Sequence, residues 1–337
     1  MNLPMAPSAT PAPLLELYDI RELQAEVRAL AAQRNAVILA HNYQLPEIQD
    51  VADYVGDSLG LSQQAARASA STIAFCGVHF MSETASVLCP DKTVLIPDLE
   101  AGCSLADAIT PEELRAWQAE PPGAITVMYV NTTAEIKAMT DYCVTSANAV
   151  AVVEHILREH GPDTEILFGP DMFLGAYVER RIGRSLHVWS GECHVHAGIR
   201  PRDIEQVRAE HPEADFLIHP ECGCSTSVME YVAAGDLEAE GVHMLSTGGM
   251  LKYAEQAEPG STVIMATEIG MLHPLQMAAP DVDFIAANER ASCRYMKMIS
   301  LEKLRDSLRE MRHEVKVPED IAERARIPIE RMVAINA

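Results

Sequence analysis

Ser190-Gly191-Glu192-Cys193-His194-Val195-His196 places a cysteine behind a polar, glycine-bearing turn, and a cysteine behind a polar or glycine-bearing turn occurs twice more. Cys103 lies in Glu100-Ala101-Gly102-Cys103-Ser104, and Cys293 in Glu289-Arg290-Ala291-Ser292-Cys293. Each cysteine follows an apolar, strand-like run. Each also lies at a nearly constant distance from a small hydroxyl residue that opens a helix-like segment. Ser58 to Cys103 is 45 positions, Ser146 to Cys193 is 47, and Thr247 to Cys293 is 46. The cysteines are 90 and 100 positions apart. One supersecondary unit used three times, each copy delivering one thiol, accounts for these intervals.

Working outward from the three cysteines, the chain reads as apolar strands alternating with helices. Leu17, Ile20, Leu23, Val27 and Leu30 recur at helical spacing and predict a helix over 14–32. The first copy then has strands at Val37–Ala40, Thr72–Cys76 and Val94–Ile96. The second has them at Ala124–Val130 and Glu165–Phe168, and the third at Asp215–Ile218, Thr262–Ala266 and Phe284–Ala286. Gly169-Pro170-Asp171 pairs with Ile96-Pro97-Asp98 in this reading. The alternation predicts an α/β fold of three similar αβα domains with parallel sheets, arranged with pseudo-threefold symmetry around a shared centre. The expected divisions are an arm and helix (1–34), three α/β repeats (35–119, 120–205, 206–298) and C-terminal helices packing on the body (299–337). Leu301, Leu304, Leu308 and Met311 mark the first of those last helices, and Pro318 can start another.

Composition narrows the function classes. With 26 basic and 49 acidic side chains the formal charge is −23, which disfavours nucleic acid and anionic membrane surfaces as partners. An anionic small molecule stays compatible, because hydroxyls and helix N-termini bind phosphate and carboxylate without net positive charge. No run approaches the roughly 20 apolar residues of a membrane helix. Met1–Pro13 lacks signal-peptide character and reads as a Pro/Ala-rich disordered arm. Eight cysteines without a secretion signal point to a reducing, cytoplasmic setting, where thiols bind metals or do chemistry.

A lone cysteine is most often core filling, and that suits Cys76, Cys89 and Cys143. Cys103, Cys193 and Cys293 follow polar turns at equivalent positions, which favours a shared metal site. Three thiolates can hold an iron–sulfur cluster and leave one iron open for chemistry. A zinc site from Cys193, His196, Cys222 and Cys224 is the rival, weakened by the short Cys222-Gly223-Cys224 spacing. A Cys222–Cys224 disulfide, or simple packing, is an equally good reading. Ser58, Ser146 and Thr247 can be plain helix caps, or can present hydroxyls and free backbone N–H groups to an anion. Three strand-end pairs, His41/Tyr43, Tyr129/Asn131 and His219/Glu221, have i, i+2 spacing that aims both side chains at one face. Together they offer general acid and base capacity. His194 and His196 read as outer partners of a metal site or as solvated residues.

The ordered set His41-Asn42-Tyr43-Gln44, Gly56-Asp57-Ser58-Leu59, Ala101-Gly102-Cys103, Tyr129-Val130-Asn131-Thr132, Gly191-Glu192-Cys193-His194-Val195-His196, His219-Pro220-Glu221-Cys222, Ser246-Thr247-Gly248 and the Cys293 segment resembles the quinolinate synthase family. The resemblance runs from about Val37 to Lys303. It implies three domains around a [4Fe–4S] cluster on Cys103, Cys193 and Cys293. It also implies the reaction, in which iminoaspartate condenses with dihydroxyacetone phosphate to quinolinate, losing phosphate and water. By motif match His41, Ser58, Tyr129, Asn131, Ser146, His219, Glu221 and Thr247 would surround the substrate, with Tyr43, Glu221 and His41 moving protons. A functional link to an L-aspartate oxidase comes from the resemblance alone. Some members carry a C-x-x-C-x-x-C run at the third ligand. Here Cys293 stands alone, so a thiol switch there is not expected, while Cys222 and Cys224 remain candidates for one. Other readings are a different [4Fe–4S] hydro-lyase acting on a small hydroxy acid, or a non-catalytic iron–sulfur redox sensor.

Overall fold

A computed structural model describes residues 17–234 and 240–335. The arm expected at Met1–Pro13 lies outside the described residues. Among the described residues, twelve strands form three separate four-stranded parallel sheets. The first contains β1 (Ala36–His41), β2 (Tyr54–Gly56), β3 (Thr72–Cys76) and β4 (Thr93–Leu95). The second contains β5 (Ile125–Tyr129), β6 (Tyr142–Val144), β7 (Ile166–Gly169) and β8 (His187–Val188). The third contains β9 (Asp215–Ile218), β10 (Val242–Met244), β11 (Thr262–Ala266) and β12 (Asp283–Ala286). Each sheet has its strands in the order second, first, third, fourth. Three similar α/β domains result.

Alternation along the central strands explains how the sheets assemble. Successive side chains of a strand face opposite ways. Val37 and Leu39 of β1 enter one large apolar cluster, while Ile38 and Ala40 enter a second. Val263 and Met265 of β11 join the same large cluster, and Ile264 and Ala266 belong to a third. Val127 and Tyr129 of β5 again face the large cluster, with Met128 turned away. Every sheet therefore contributes one face to a common core and covers its other face separately, as buried parallel sheets must. Ile38 and Leu39 are 1% and 0% exposed, and burying each such side chain contributes roughly 1.5–3 kcal/mol.

Four strands, β2, β6, β8 and β10, go beyond those the sequence predicts. Each has only two or three residues, too few to show a period, and sits next to a central strand or at a sheet edge. The first helix runs Leu17–Gln33 and packs on Leu301–Glu310 through Leu23, Val27, Leu304 and Leu308. The final helix, Glu319–Ala334, lies against the His79–Leu88 helix of the first domain and β6 of the second. Asn148 Nδ2 ties its end down, donating to Met332 O and Ile335 O at 2.9 Å each.

Chain reversals into the strands use left-handed backbone. Gly161 (φ 105°) and Gly260 (φ 83°) lead into β7 and β11, a conformation that carries no steric penalty for glycine. These turns lie at the strand N-termini, away from the site described next.

Candidate active site

The strands of all three domains point their C-terminal ends at one cavity. Ligands bind at this end of open parallel sheets. His41 and Tyr43 lie at and just beyond the end of β1, Tyr129 and Asn131 at the end of β5, and His219 and Glu221 after β9. All six line the cavity, together with Ser58, Ser146, Thr247, Cys103, Cys193 and Cys293. Every residue expected at a site is thus brought to one place.

The three cysteines occupy matching positions. His79 N donates to Ala101 O, Met172 N to Gly191 O, and Ile269 N to Ala291 O. Cys103, Cys193 and Cys293 each lie two residues beyond that carbonyl. Each then opens a turn, with its own carbonyl accepting from Ala106 N, Ala197 N and Lys297 N respectively. Backbone N–H groups of Leu105 and Ala106 point at the Cys103 sulfur, and those of Tyr295 and Met296 at Cys293. Burial and the proximity of Cys193 push both of these thiols up. Sulfurs that raise one another's pKa, yet are approached by backbone donors, suit a bound cation, which deprotonates its thiol ligands. The donor set suits a metal cluster spanning three thiolates rather than a single ion, since the three sulfurs are not grouped closely enough for one metal. Cys76, Cys89 and Cys143 are core residues at 0%, 5% and 0% exposure.

These matching positions correct the pairing of Asp171 with Asp98. Asp171 follows the third strand of its sheet, so its counterparts are Val78 and Glu268. Asp98 instead matches Asn288, each accepting a backbone N–H two residues on at 2.9 Å. Asp171 and Glu268 hold the cysteine turns in place, accepting the backbone N–H of Cys193 at 3.1 Å and of Cys293 at 2.9 Å. Lys297 Nζ lies 3.1 Å from Glu268 and also donates to Tyr43 O. Asp171 caps the Met172–Ile182 helix through Phe173 N and Leu174 N. Burial, then the nearby Glu221, raises its pKa. In the first domain Val78 stands in place of the carboxylate.

A recurring histidine geometry sits at the strand ends. Tyr43 N donates to His41 Nδ1 at 3.2 Å, and Glu221 N to His219 Nδ1 at 3.4 Å. An accepting Nδ1 leaves the hydrogen on Nε2, facing the cavity. Both rings stay neutral. Burial lowers His41 to about 3, helped by His219, and lowers His219 to about 4. The Nε2 of His219 reaches Ser146 Oγ at 3.1 Å.

His196, expected as an outer partner, as solvated, or as a ligand of the rival zinc site, is 3% exposed at the centre of the site. Its ring stacks on His219 with centroids 4.8 Å apart. Its Nε2 meets Tyr43 Oη at 3.2 Å and Thr267 Oγ1 at 3.0 Å. Nδ1 lies 3.4 Å from Glu221 Oε2 without a satisfied hydrogen bond. Burial disfavours its charge, but Tyr43 and Cys193 outweigh that and hold its pKa above the ordinary value. Glu221, 2% exposed, accepts from Tyr129 Oη. Burial alone would raise its pKa; His219, His196 and Tyr129 together hold it below the usual carboxylate range. Burial raises Tyr43 and Tyr129, so both are hydrogen donors rather than phenolates. Asn131 Oδ1 is buried without a partner.

The helix starts differ from expectation. Ser58 and Thr247 are first residues of their helices, and the caps are Asp57 and Ser246. Asp57 accepts Gly60 N at 2.8 Å and also the N–H of Gly248, so one carboxylate bridges two helix N-termini. Those amides are therefore not free for an anion, though the hydroxyls remain. Thr247 Oγ1 accepts from Asn42 Nδ2 at 3.0 Å. Ser146 precedes its helix, Ala149–His160, by three residues. Cys222 and Cys224 are disulfide-bonded and fully buried, which removes them as zinc ligands. Among the described residues, the Cys/His/Glu group close enough to hold an ion is Cys193, His196 and Glu221.

Known proteins carry the same sequence pattern. The family model described as quinolinate synthetase A protein (NadA) matches residues 25–334. The quinolinate synthase of Mycobacterium tuberculosis (strain H37Rv) is 58% identical over 313 residues, 93% of this chain and 88% of its own. That of Mycolicibacterium paratuberculosis is 58% identical over the same share of each. The quinolinate synthase of Mycobacterium sp. (strain KMS) is 56% identical over 322 residues, 95% of this chain and 94% of its own.

Proposed function

Given that this chain belongs to the quinolinate synthase family, enzymes of NAD biosynthesis, we propose that it condenses iminoaspartate with dihydroxyacetone phosphate to form quinolinate, releasing phosphate and water. The observation that carries the reading is the convergence of one thiol and one polar strand-end pair from each domain on a single cavity. Cys103, Cys193 and Cys293 would hold a [4Fe–4S] cluster. Bound there, the cluster would supply a Lewis-acidic iron with an open position for a substrate oxygen.

The remaining chemistry belongs to side chains. Glu221, ionised and braced by Tyr129, is the base that takes a carbon-bound proton before the C–C bond forms. Tyr43, kept protonated by burial and sharing its hydroxyl with His196 and Thr267, is the acid that returns a proton to a departing hydroxyl. His41 presents its Nε2–H, and Ser58, Ser146 and Thr247 their hydroxyls, to carboxylate and phosphate oxygens, with His219 orienting the Ser146 hydroxyl through its own Nε2–H. His41 packs edge-on against the Tyr43 ring, centroids 4.6 Å apart, and its proton-transfer role would act on the substrate directly, since its Nδ1 is occupied by the Tyr43 N–H. Asn131 supplies an unpaired amide oxygen for a substrate donor. Such preorganised dipoles in a buried site cost no reorganisation as charge develops.

The test is iron and sulfide content, with an absorption spectrum, of protein purified without oxygen, followed by turnover of the two substrates. About four irons and four sulfides per chain, lost together with activity in Cys293→Ala, is the expected result. Zinc alone, or no metal after reconstitution, overturns the cluster and the mechanism with it.

A further inference from the structure

We infer that the chain, when it carries no cluster, offers a separate mononuclear site for a borderline divalent cation such as Zn²⁺, formed by Cys193 Sγ, His196 Nδ1 and Glu221 Oε2. The three residues' ligand atoms lie within 4.8 Å of one another. Zinc bonds of about 2.0–2.3 Å in tetrahedral geometry put neighbouring ligand atoms about 3.3–3.6 Å apart. His196 Nδ1 and Glu221 Oε2 are already 3.4 Å apart. Only the sulfur has to close in, by about 1 Å, which a side-chain adjustment of Cys193 supplies.

Two independent features point to an ion at this spot. His196 Nδ1 is buried and faces Glu221 Oε2 at 3.4 Å without a well-directed hydrogen bond, an arrangement that needs a reason in a native interior. Its other nitrogen is held by Tyr43 and Thr267, which fixes the ring and its orientation. Zinc-binding histidines are braced through the far nitrogen in this way. Glu221 is braced likewise, its Oε1 accepting from Tyr129 while Oε2 faces His196. A thiolate and a carboxylate cancel the charge of a divalent ion, so the occupied site is neutral. A neutral group is cheaper to bury than an unpaired charge. Cys193 and His196 sit three residues apart across one helical turn, which holds both on one side.

Cys103 and Cys293 take no part in this group. Occupation would take Cys193 out of the three-thiolate set and Glu221 out of the proton pathway. Zinc bound here therefore blocks both cluster assembly and turnover. That consequence rests on the proposed function; the binding itself does not.

The experiment is titration of the full-length, cluster-free chain with Co²⁺, read by sulfur-to-cobalt charge-transfer absorption, followed by displacement with Zn²⁺. The expected result is one ion per chain with the band amplitude of one thiolate. The band should persist in Cys103→Ser and Cys293→Ser, while affinity falls at least tenfold in His196→Ala and in Glu221→Gln. The amplitude of the unaltered chain does not depend on any variant folding. An amplitude of three thiolates, or loss of the band in Cys103→Ser, would overturn the proposal by moving the ion onto the cluster cysteines. Absence of Co²⁺ and Zn²⁺ binding overturns it equally.

Discussion

Replacing Tyr43 with phenylalanine removes one oxygen from the centre of the cavity and leaves the ring, 8% exposed, in place. The hydroxyl makes two hydrogen bonds, to Thr267 Oγ1 at 2.5 Å and His196 Nε2 at 3.2 Å. Thr267 and His196 stay bonded to each other at 3.0 Å, so neither is left unpaired. The stability loss is then about 1 kcal/mol, the net worth of exchanged rather than orphaned hydrogen bonds. In a chain of this size that lowers the melting temperature by about 1–2 °C. Turnover should fall much further. A positioned proton donor contributes about 10²–10⁴-fold, equivalent to about 2.7–5.5 kcal/mol of barrier. The hydroxyl bonds to no cysteine among the described residues, so iron and sulfide content should stay at the unaltered level. The assay is paired: kcat and KM for quinolinate formation, and metal content of the same preparation. A kcat within about fivefold of the unaltered enzyme would refute the acid role. Parallel loss of iron and activity would make Tyr43 a support of the metal site instead.

Asp171→Ala should cost about 2–4 kcal/mol in denaturant unfolding, since it removes a helix cap and orphans the Cys193 N–H. Asp171→Asn keeps one acceptor oxygen, enough for the helix cap or the Cys193 N–H but not both, and should recover only part of that; equal losses in the two variants would contradict the capping account. Gly169→Ala should destabilise by about 1–3 kcal/mol or more, because its Cβ would lie 2.3 Å from Trp189 Cβ. An unchanged melting temperature would count against the packing described. His219 is lowered to about 4 in the fold, so its contribution is complete above the unfolded value near 6.5 and is lost as pH falls towards 4. The stability gap between the unaltered chain and His219→Gln should therefore shift against the unaltered chain by about 1.4 kcal/mol per pH unit as pH falls across that window; a pH-independent gap would show that His219 takes up its proton as readily in the fold as in the unfolded chain. Asn148→Ala should release the end of the Glu319–Ala334 helix, with faster amide exchange at its last turn and a loss of about 1–3 kcal/mol. Unchanged exchange there would rule out the tether.

The three cysteines and the strand-end pairs are legible in the sequence because both are local facts repeated at a fixed interval. An i, i+2 pair after a strand faces one way whatever the rest of the chain does, and spacing survives divergence. His196 is not legible, because what makes it central is distant in sequence. Tyr43 is 153 residues away and Thr267 is 71, and no local pattern announces that meeting. Asp171 misaligns in sequence because Gly-Pro-Asp looks like Ile-Pro-Asp, whereas the strand order aligns it with Val78, a residue of different chemistry. The short strands escape because two or three residues carry no period. The sharing of helix N-termini is invisible for the same reason as His196: Asp57 and Gly248 come from different domains, joined only by the fold.

The left-handed turns into the strands divide the molecule into two ends under very different constraints. At Gly123, Gly161, Gly183 and Gly260 an added Cβ would meet nothing within 4 Å, and all four precede strands at the end remote from the cavity. Loops of this kind accept added length, since doubling a loop costs only about 0.6 kcal/mol of closure entropy. Reporter sequences or affinity handles inserted beside Gly161 or Gly260 would leave the catalytic rim undisturbed. One face of the protein is thus open to engineering and to evolutionary drift in length, while the opposite face is held residue by residue.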